Sequence, residues 1–203
     1  METTLTVRRG DVGRRDALIE AFTAGCVDEA VSAWVLEGYS VEQFQAGYVP
    51  TLIDSALRED EVWTAGLGDE IWAVSVWQAV TSVARFESEA TEARERADAL
   101  PDLRPLQRAA TVMELLAREH PRELPHRYLQ VIVTVPHHRG KGAGAAILGD
   151  RLKAASDAGV PAFLEASTER SARLYTRCGF VRDSVTHPLP EGGPTLIPLW
   201  FRG

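Results

Sequence analysis

Two periodicities take turns along this chain, and their order predicts a mixed α/β fold. Residues 5–8 alternate apolar and polar, as a half-buried strand does, and Gly10-Asp11 follows, where the short Asp side chain can cap a helix over 12–22. Ala30, Val31, Trp34 and Val35 form a helical stripe. A second stripe, Phe44, Tyr48, Leu52, Ile53, Ala56 and Leu57, is expected to break at Pro50. Both helices are expected to cover one face of a sheet. Residues 61–66 and 71–79 are rich in Val and Trp around Gly68-Asp69, the pattern of an antiparallel hairpin.

The rhythm changes over 82–126, where dense mixed charge accompanies helical spacing at Leu106, Ala110, Met113 and Leu116-Ala117; this segment reads as a helical insertion. A nearly continuous apolar strand over 128–135, a helix over 142–158 and a short buried strand over 160–165 then make a β-α-β unit. A helix over 170–178 and strands over 180–186 and 196–201, parted by turn-rich residues 188–194, complete the order. The sum is a mainly antiparallel central sheet of about seven strands flanked by helices, with the insertion between the third and fourth strands.

Composition narrows the class. A chain of 203 residues is expected to form a single domain over 1–203, and its 45% apolar and 25% charged residues are ordinary for a globular protein. No apolar run is long enough to span a membrane, and residues 1–4 carry neither a basic region nor an apolar run, so a cytoplasmic location is expected. Cys26 and Cys178 are too few for a disulfide framework and are expected to be reduced. A net charge of −7 argues against nucleic-acid binding and suits a cationic partner.

The sharpest chemical signal lies where the 128–135 strand gives way to a helix: Arg139, Gly140, Lys141, Gly142, Ala143, Gly144 and Ala145. A helix start offers unpaired N–H groups with partial positive charge, and glycines let the main chain approach phosphate oxygens. Spacing separates the possible phosphates. A Walker loop needs Ser or Thr after Gly140-Lys141, but Gly142 follows. A dinucleotide fingerprint survives only with Ala145 as its last member, and it sits too late in the chain for a doubly wound fold. The remaining pattern, Arg-x-x-Gly-x-Gly at Arg139, Gly142 and Gly144, resembles the coenzyme A pyrophosphate loop of the GNAT superfamily of N-acetyltransferases. The segment 161–167, Tyr175-x-x-x-Gly179-Phe180 and Pro190-Glu191-Gly192 look most similar to the superfamily's puromycin N-acetyltransferase-like members.

That resemblance implies a splayed pair of fourth and fifth strands and an acetyl-coenzyme A co-substrate. Backbone groups of Ile132, Thr134 and Val135 would hold the pantetheine arm, as in strand addition. Thr168 stands where relatives often have Asn, and Thr168 and Ser171 are expected near the cofactor. Tyr175 matches the tyrosine that protonates the departing thiolate, a transfer its ordinary pKa near 10 permits. An alkylammonium acceptor must lose a proton before it attacks, and Glu165, at the end of the fifth strand, is the first candidate base, with Glu61 and Glu29 behind it. Trp77 and Glu29 are candidates for the amine pocket. No metal is expected, since adjacent histidines such as His137-His138 ordinarily point apart and no third ligand is near in sequence. Cys178 reads as a small buried hydrophobe. The implied function is N-acetylation of a small-molecule amine, possible antibiotics included, by a monomer or homodimer. A protein or peptide N-acetyltransferase and a non-catalytic acyl-coenzyme A sensor are the alternatives.

Overall fold

The computed structural model describes residues 5–203 except the side chains of Val41 and 43–45, so residues 1–4 and the expected stripe position Phe44 lie outside the described residues. The strands are β1 (Thr6–Arg9), β2 (Glu61–Leu67), β3 (Glu70–Val80), β4 (His126–Thr134), β5 (Ala162–Ala166), β6 (Val181–Arg182), β7 (His187–Pro188) and β8 (Thr195–Phe201). The helices are α1 (Arg15–Gly25), α2 (Ala30–Val35), α3 (Val41–Glu59), α4 (Ala84–Ala99), α5 (Arg104–Glu119), α6 (Ala143–Asp157) and α7 (Glu169–Arg177). The sheet runs β1-β2-β3-β4-β5-β8-β6, with β7 paired to β8. Every pairing is antiparallel except β4 with β5.

That exception shapes the molecule. Parallel pairing joins only Arg127 to Ala162 and Tyr128 to Phe163, after which β4 and β5 part. A bulge in β4 between Leu129 and Val131, where its register with β3 shifts by one residue, divides its side chains between two layers. Val133 joins Leu18, Phe22, Ile53 and Val74 under α1 and α3. Leu129 joins Leu148, Leu152, Leu164 and Phe180 under α6 and α7. Residues four apart on a regular strand face the same side, so the bulge is what lets this nearly continuous apolar strand serve two cores.

The insertion is a helical hairpin. Arg94 of α4 forks onto Glu114 of α5 through bonds of 2.7 and 2.8 Å, and α5 packs Leu115 against Trp34, Val35 and Leu36 of the α2 region. Arg108, almost fully buried on α5, donates to the Trp34 carbonyl and to Glu191 of the β7–β8 turn, and stacks over the Trp34 ring. Three separate segments are thereby fastened around one guanidinium.

Three expectations are corrected. α3 runs through Pro50 without a break, because fully buried Val49 and Ile53 hold both sides of the proline against the core while the Thr51 hydroxyl donates to the Gly47 carbonyl. Asp11 makes no side-chain cap; the chain enters α1 through a 3-10 turn closed by the Arg14 N–H on the Asp11 carbonyl. The strand expected over 180–186 shrinks to the two residues of β6, and β7 forms just beyond it at His187–Pro188. Leu148 of α6 has no exposed surface, so Leu148→Ala should lower unfolding free energy by about 3 kcal/mol in urea titration, through lost burial plus the cavity it leaves.

Candidate active site

Where β4 and β5 part, the two strands and the surrounding helices enclose a cleft of about 750 Å³. Its walls come from the α1–α2 loop, β4, the start of α6, the end of β5, α7 and one face of α5. At one end lies the glycine loop. Gly140 and Gly142 have φ of +76° and +88°, a region that penalises any Cβ, and the space a Cβ would take at Gly140 has no atom within 4 Å. Gly142 is the N-cap of α6 and contributes no side-chain cap. The first intrahelical bond from this turn is the Ala146 N–H on the Gly142 carbonyl. The preceding N–H groups, those of Ala143, Gly144 and Ala145, form an uncapped helix start facing the cleft, which suits a phosphate group.

The neighbouring strand offers backbone as well. The Val135 N–H is already bonded to the Trp72 carbonyl of β3 at 2.9 Å, so alternation turns the N–H groups of Ile132 and Thr134 toward the parted side. Ile132 and Thr134 line the cleft and Val135 does not. Its inclusion among pantetheine-binding positions is corrected by that bond.

Arg139 also takes a different role from the expected one. Its guanidinium forks onto Asp28 with two bonds of 2.6 Å and reaches the carbonyls of Thr134 and Gly25. The pair holds the Asp28 carboxyl below its ordinary range. The side chain is thus a brace between the glycine loop and the α1–α2 loop. Lys141 stands off the cleft, its ammonium 5.3 Å from the centre of the Trp72 ring.

Glu165 and Tyr175 both line the cleft. Burial pushes the Glu165 carboxyl up to about 7, against the stabilising effect of the Tyr128 hydroxyl on its ionised form. Its Oε2 is buried with no hydrogen-bond partner among the described residues. Tyr175 packs on α7 against Phe180, and burial, then the charge of Glu29, raises its phenol above the ordinary value, so it stays protonated at neutral pH. Thr168 and Ser171, also on the cleft wall, form a reciprocal cap at the start of α7, with the Ser171 N–H on the Thr168 hydroxyl at 3.1 Å. They fix the helix that presents Tyr175. Glu29 lines the cleft and caps α2 through the Ser32 N–H at 2.8 Å.

Two other candidates leave the site. Trp77 is buried among Leu129, Leu148 and Leu164, with its indole N–H on the Ser75 hydroxyl, and it does not line the cleft. Glu61 does not line the cleft; Arg127 and Arg151 pair with it instead. Burial raises the Cys178 thiol, which leaves it inert as a nucleophile. The sequence reading overlooked Tyr128, Asp28 and the roof formed by Val112, Met113 and Leu116 of α5, all of which line the cleft. A helical stripe at 106–117 marked α5, but nothing local says which face covers a ligand.

The histidine argument is also corrected. The rings of His137 and His138 lie 4.0 Å apart between centroids, and Glu70 joins them from β3, so that one ligating atom of each falls within 4.8 Å of the others.

Residues 109–180 match the acetyltransferase (GNAT) family, about a third of the chain. Solved structures resemble the whole of it. A histone acetyltransferase HPA2 and related acetyltransferase from Corynebacterium glutamicum is 18% identical, with 97% of this chain and 95% of that one covered at a TM-score of 0.67. The Drosophila melanogaster polyamine N-acetyltransferase is 16% identical, covering 98% and 100% at a TM-score of 0.69. An agmatine N-acetyltransferase variant without ligand is 18% identical, covering 98% and 100% at 0.67. The chain therefore has the acetyltransferase fold, and the segment that carries its glycine loop, Glu165 and Tyr175 is the part that matches the acetyltransferase (GNAT) family.

Proposed function

We propose that this protein is an acetyl-coenzyme A-dependent N-acetyltransferase, a single cytoplasmic domain over 1–203, that acetylates a primary amine of a small molecule. The observation that carries the reading is one cleft holding an uncapped glycine-rich helix start, a protonated phenol and a buried carboxyl poised near neutrality. The bare N–H groups at 143–145 suit the co-substrate's pyrophosphate, and the free edge of β4 at Ile132 and Thr134 suits its pantetheine arm.

The chemistry is direct transfer in a ternary complex. The amine nitrogen attacks the thioester carbonyl, a C–N bond forms, and the C–S bond breaks. Glu165 takes the proton that the ammonium acceptor must shed, and Tyr175 gives its phenolic proton to the departing thiolate. With a pKa of about 7, Glu165 is close to half ionised at neutral pH, which is where a general base works best. The remainder of the acceleration comes from positioning.

The acceptor side pairs acid with grease. Glu29 and Glu165 face the cleft beneath an apolar roof of Val112, Met113 and Leu116, with Val31 and Leu36 beside it. That lining favours an amine carried on an apolar body, and a roofed cleft favours a small molecule over a peptide laid in an open groove. The likeness of 161–167 and 190–192 to puromycin N-acetyltransferase-like enzymes supports an antibiotic as one such amine.

Three outcomes test this reading. Tyr175→Phe should lower kcat by about a hundredfold while coenzyme A affinity holds, measured by thiol release and by calorimetry; unchanged kcat removes the phenol from the mechanism. Gly142→Val forces a branched residue into φ +88° at the helix start and should raise the coenzyme A Kd by at least about tenfold. For Glu165, kcat/KM of the native protein should climb as pH rises through about 7, a limb that Glu165→Gln should abolish along with most turnover. Because the folded pKa of Glu165 lies above its ordinary value, the folded state holds the proton more tightly, and stability falls as pH rises from about 4.5 through about 7. The full cost is on the order of 3 kcal/mol, so Glu165→Gln should melt higher than the native protein at pH 8 even as it loses activity.

A further inference from the structure

The geometry points to a divalent metal site, suited to Zn²⁺, formed by Glu70, His137 and His138 at the entrance to the glycine loop. Three features converge there. First, antiparallel pairing of β3 with β4 sets Ala73 opposite Thr134 and bonds the Val135 N–H to Trp72, so continuing the register by a few residues carries Glu70 alongside His137 and His138. One ligating atom from each lies within 4.8 Å of the other two. Second, the closest pair, His138 Nε2 and Glu70 Oε1, is 3.1 Å apart. Two donors at about 2.05 Å from a tetrahedral zinc stand about 3.3 Å from each other, so this pair needs almost no movement. His137 is exposed and its ring can swing the remaining distance.

Third, the set is already oriented. The Trp72 indole N–H donates to Glu70 Oε2 at 2.6 Å, and the Trp72 ring stacks on His138 at 4.3 Å with an interplanar angle of 8°. This is the supporting shell that metal sites use to aim a carboxylate and fix an imidazole plane. Two imidazole nitrogens and one carboxylate oxygen are a ligand set that zinc accepts, with water in the fourth position. The ion would tie the start of β3 to the turn that enters the loop at Arg139. Of the three ligands only His138 reaches the cleft wall; Glu70 and His137 lie outside it.

Titration of the untagged protein with zinc chloride alone, followed by calorimetry, tests the site. One ion per chain should bind with a Kd of about 10 μM or tighter, and His137→Ala and Glu70→Gln should each weaken it by at least about tenfold, the scale of effects at such sites. Both side chains are exposed, so neither change threatens the fold, and far-UV circular dichroism checks that directly. Absence of saturable uptake up to about 100 μM zinc overturns the proposal, and so does uptake whose affinity both variants leave unchanged, since the ion would then sit elsewhere.

Discussion

The site depends on a sheet that gives up pairing in its middle. Buried peptide groups need partners, and β4 loses β5 as a partner after Tyr128. The N–H groups of Ile132 and Thr134 therefore face an opening rather than a neighbouring strand. Everything chemical is hung on the edges of that opening: Glu165 on the departing end of β5, Tyr175 on the helix that follows, and the bare start of α6 on the loop that leaves β4. Parallel pairing makes this possible, because the crossover helix between the two strands must begin at the same end where they separate.

Dehydration then does opposite kinds of service at two side chains. It raises the Glu165 carboxyl into the neutral range and keeps the Tyr175 phenol protonated, so both protonation states come from one physical cause. The Tyr128 hydroxyl moderates the first effect, and its ring rests on a layer of Phe86, Phe163 and His120. Within that layer His126 Nδ1 lies 2.7 Å from the Glu123 carbonyl, so it bears the proton, and His126 Nε2 must accept from His120 Nε2 at 3.0 Å. Both rings are neutral, in keeping with the His120 pKa driven down to about 3 by burial and by its partner. A fixed, uncharged floor lies beneath Tyr128.

Most of the architecture was legible because strand and helix periods are local. The glycine loop, the two halves of the β-α-β unit, Tyr175 and Glu165 could all be read from runs of fewer than a dozen residues. What stayed hidden is whatever depends on register or on which face a helix turns inward. Glu70 meets His138 across 68 residues, and Asp28 meets Arg139 across 111. Neither separation leaves a trace in local pattern. Trp77 misled for the complementary reason: a large aromatic on a central strand fits a pocket or a core equally well by composition, and only packing assigns it to the core. Pro50 misled because propensity was weighed without the burial of Val49 and Ile53 on either side of it.

The Asp28–Arg139 fork carries a consequence for how two reactants meet. Asp28 sits beside Glu29 on the α1–α2 loop, while Arg139 opens the glycine loop, and both loops wall the cleft. One guanidinium thus ties the two loops together. Linked equilibria are reciprocal, so a ligand that settles one of these loops would favour whatever settles the other by the same factor in either sequence of arrival.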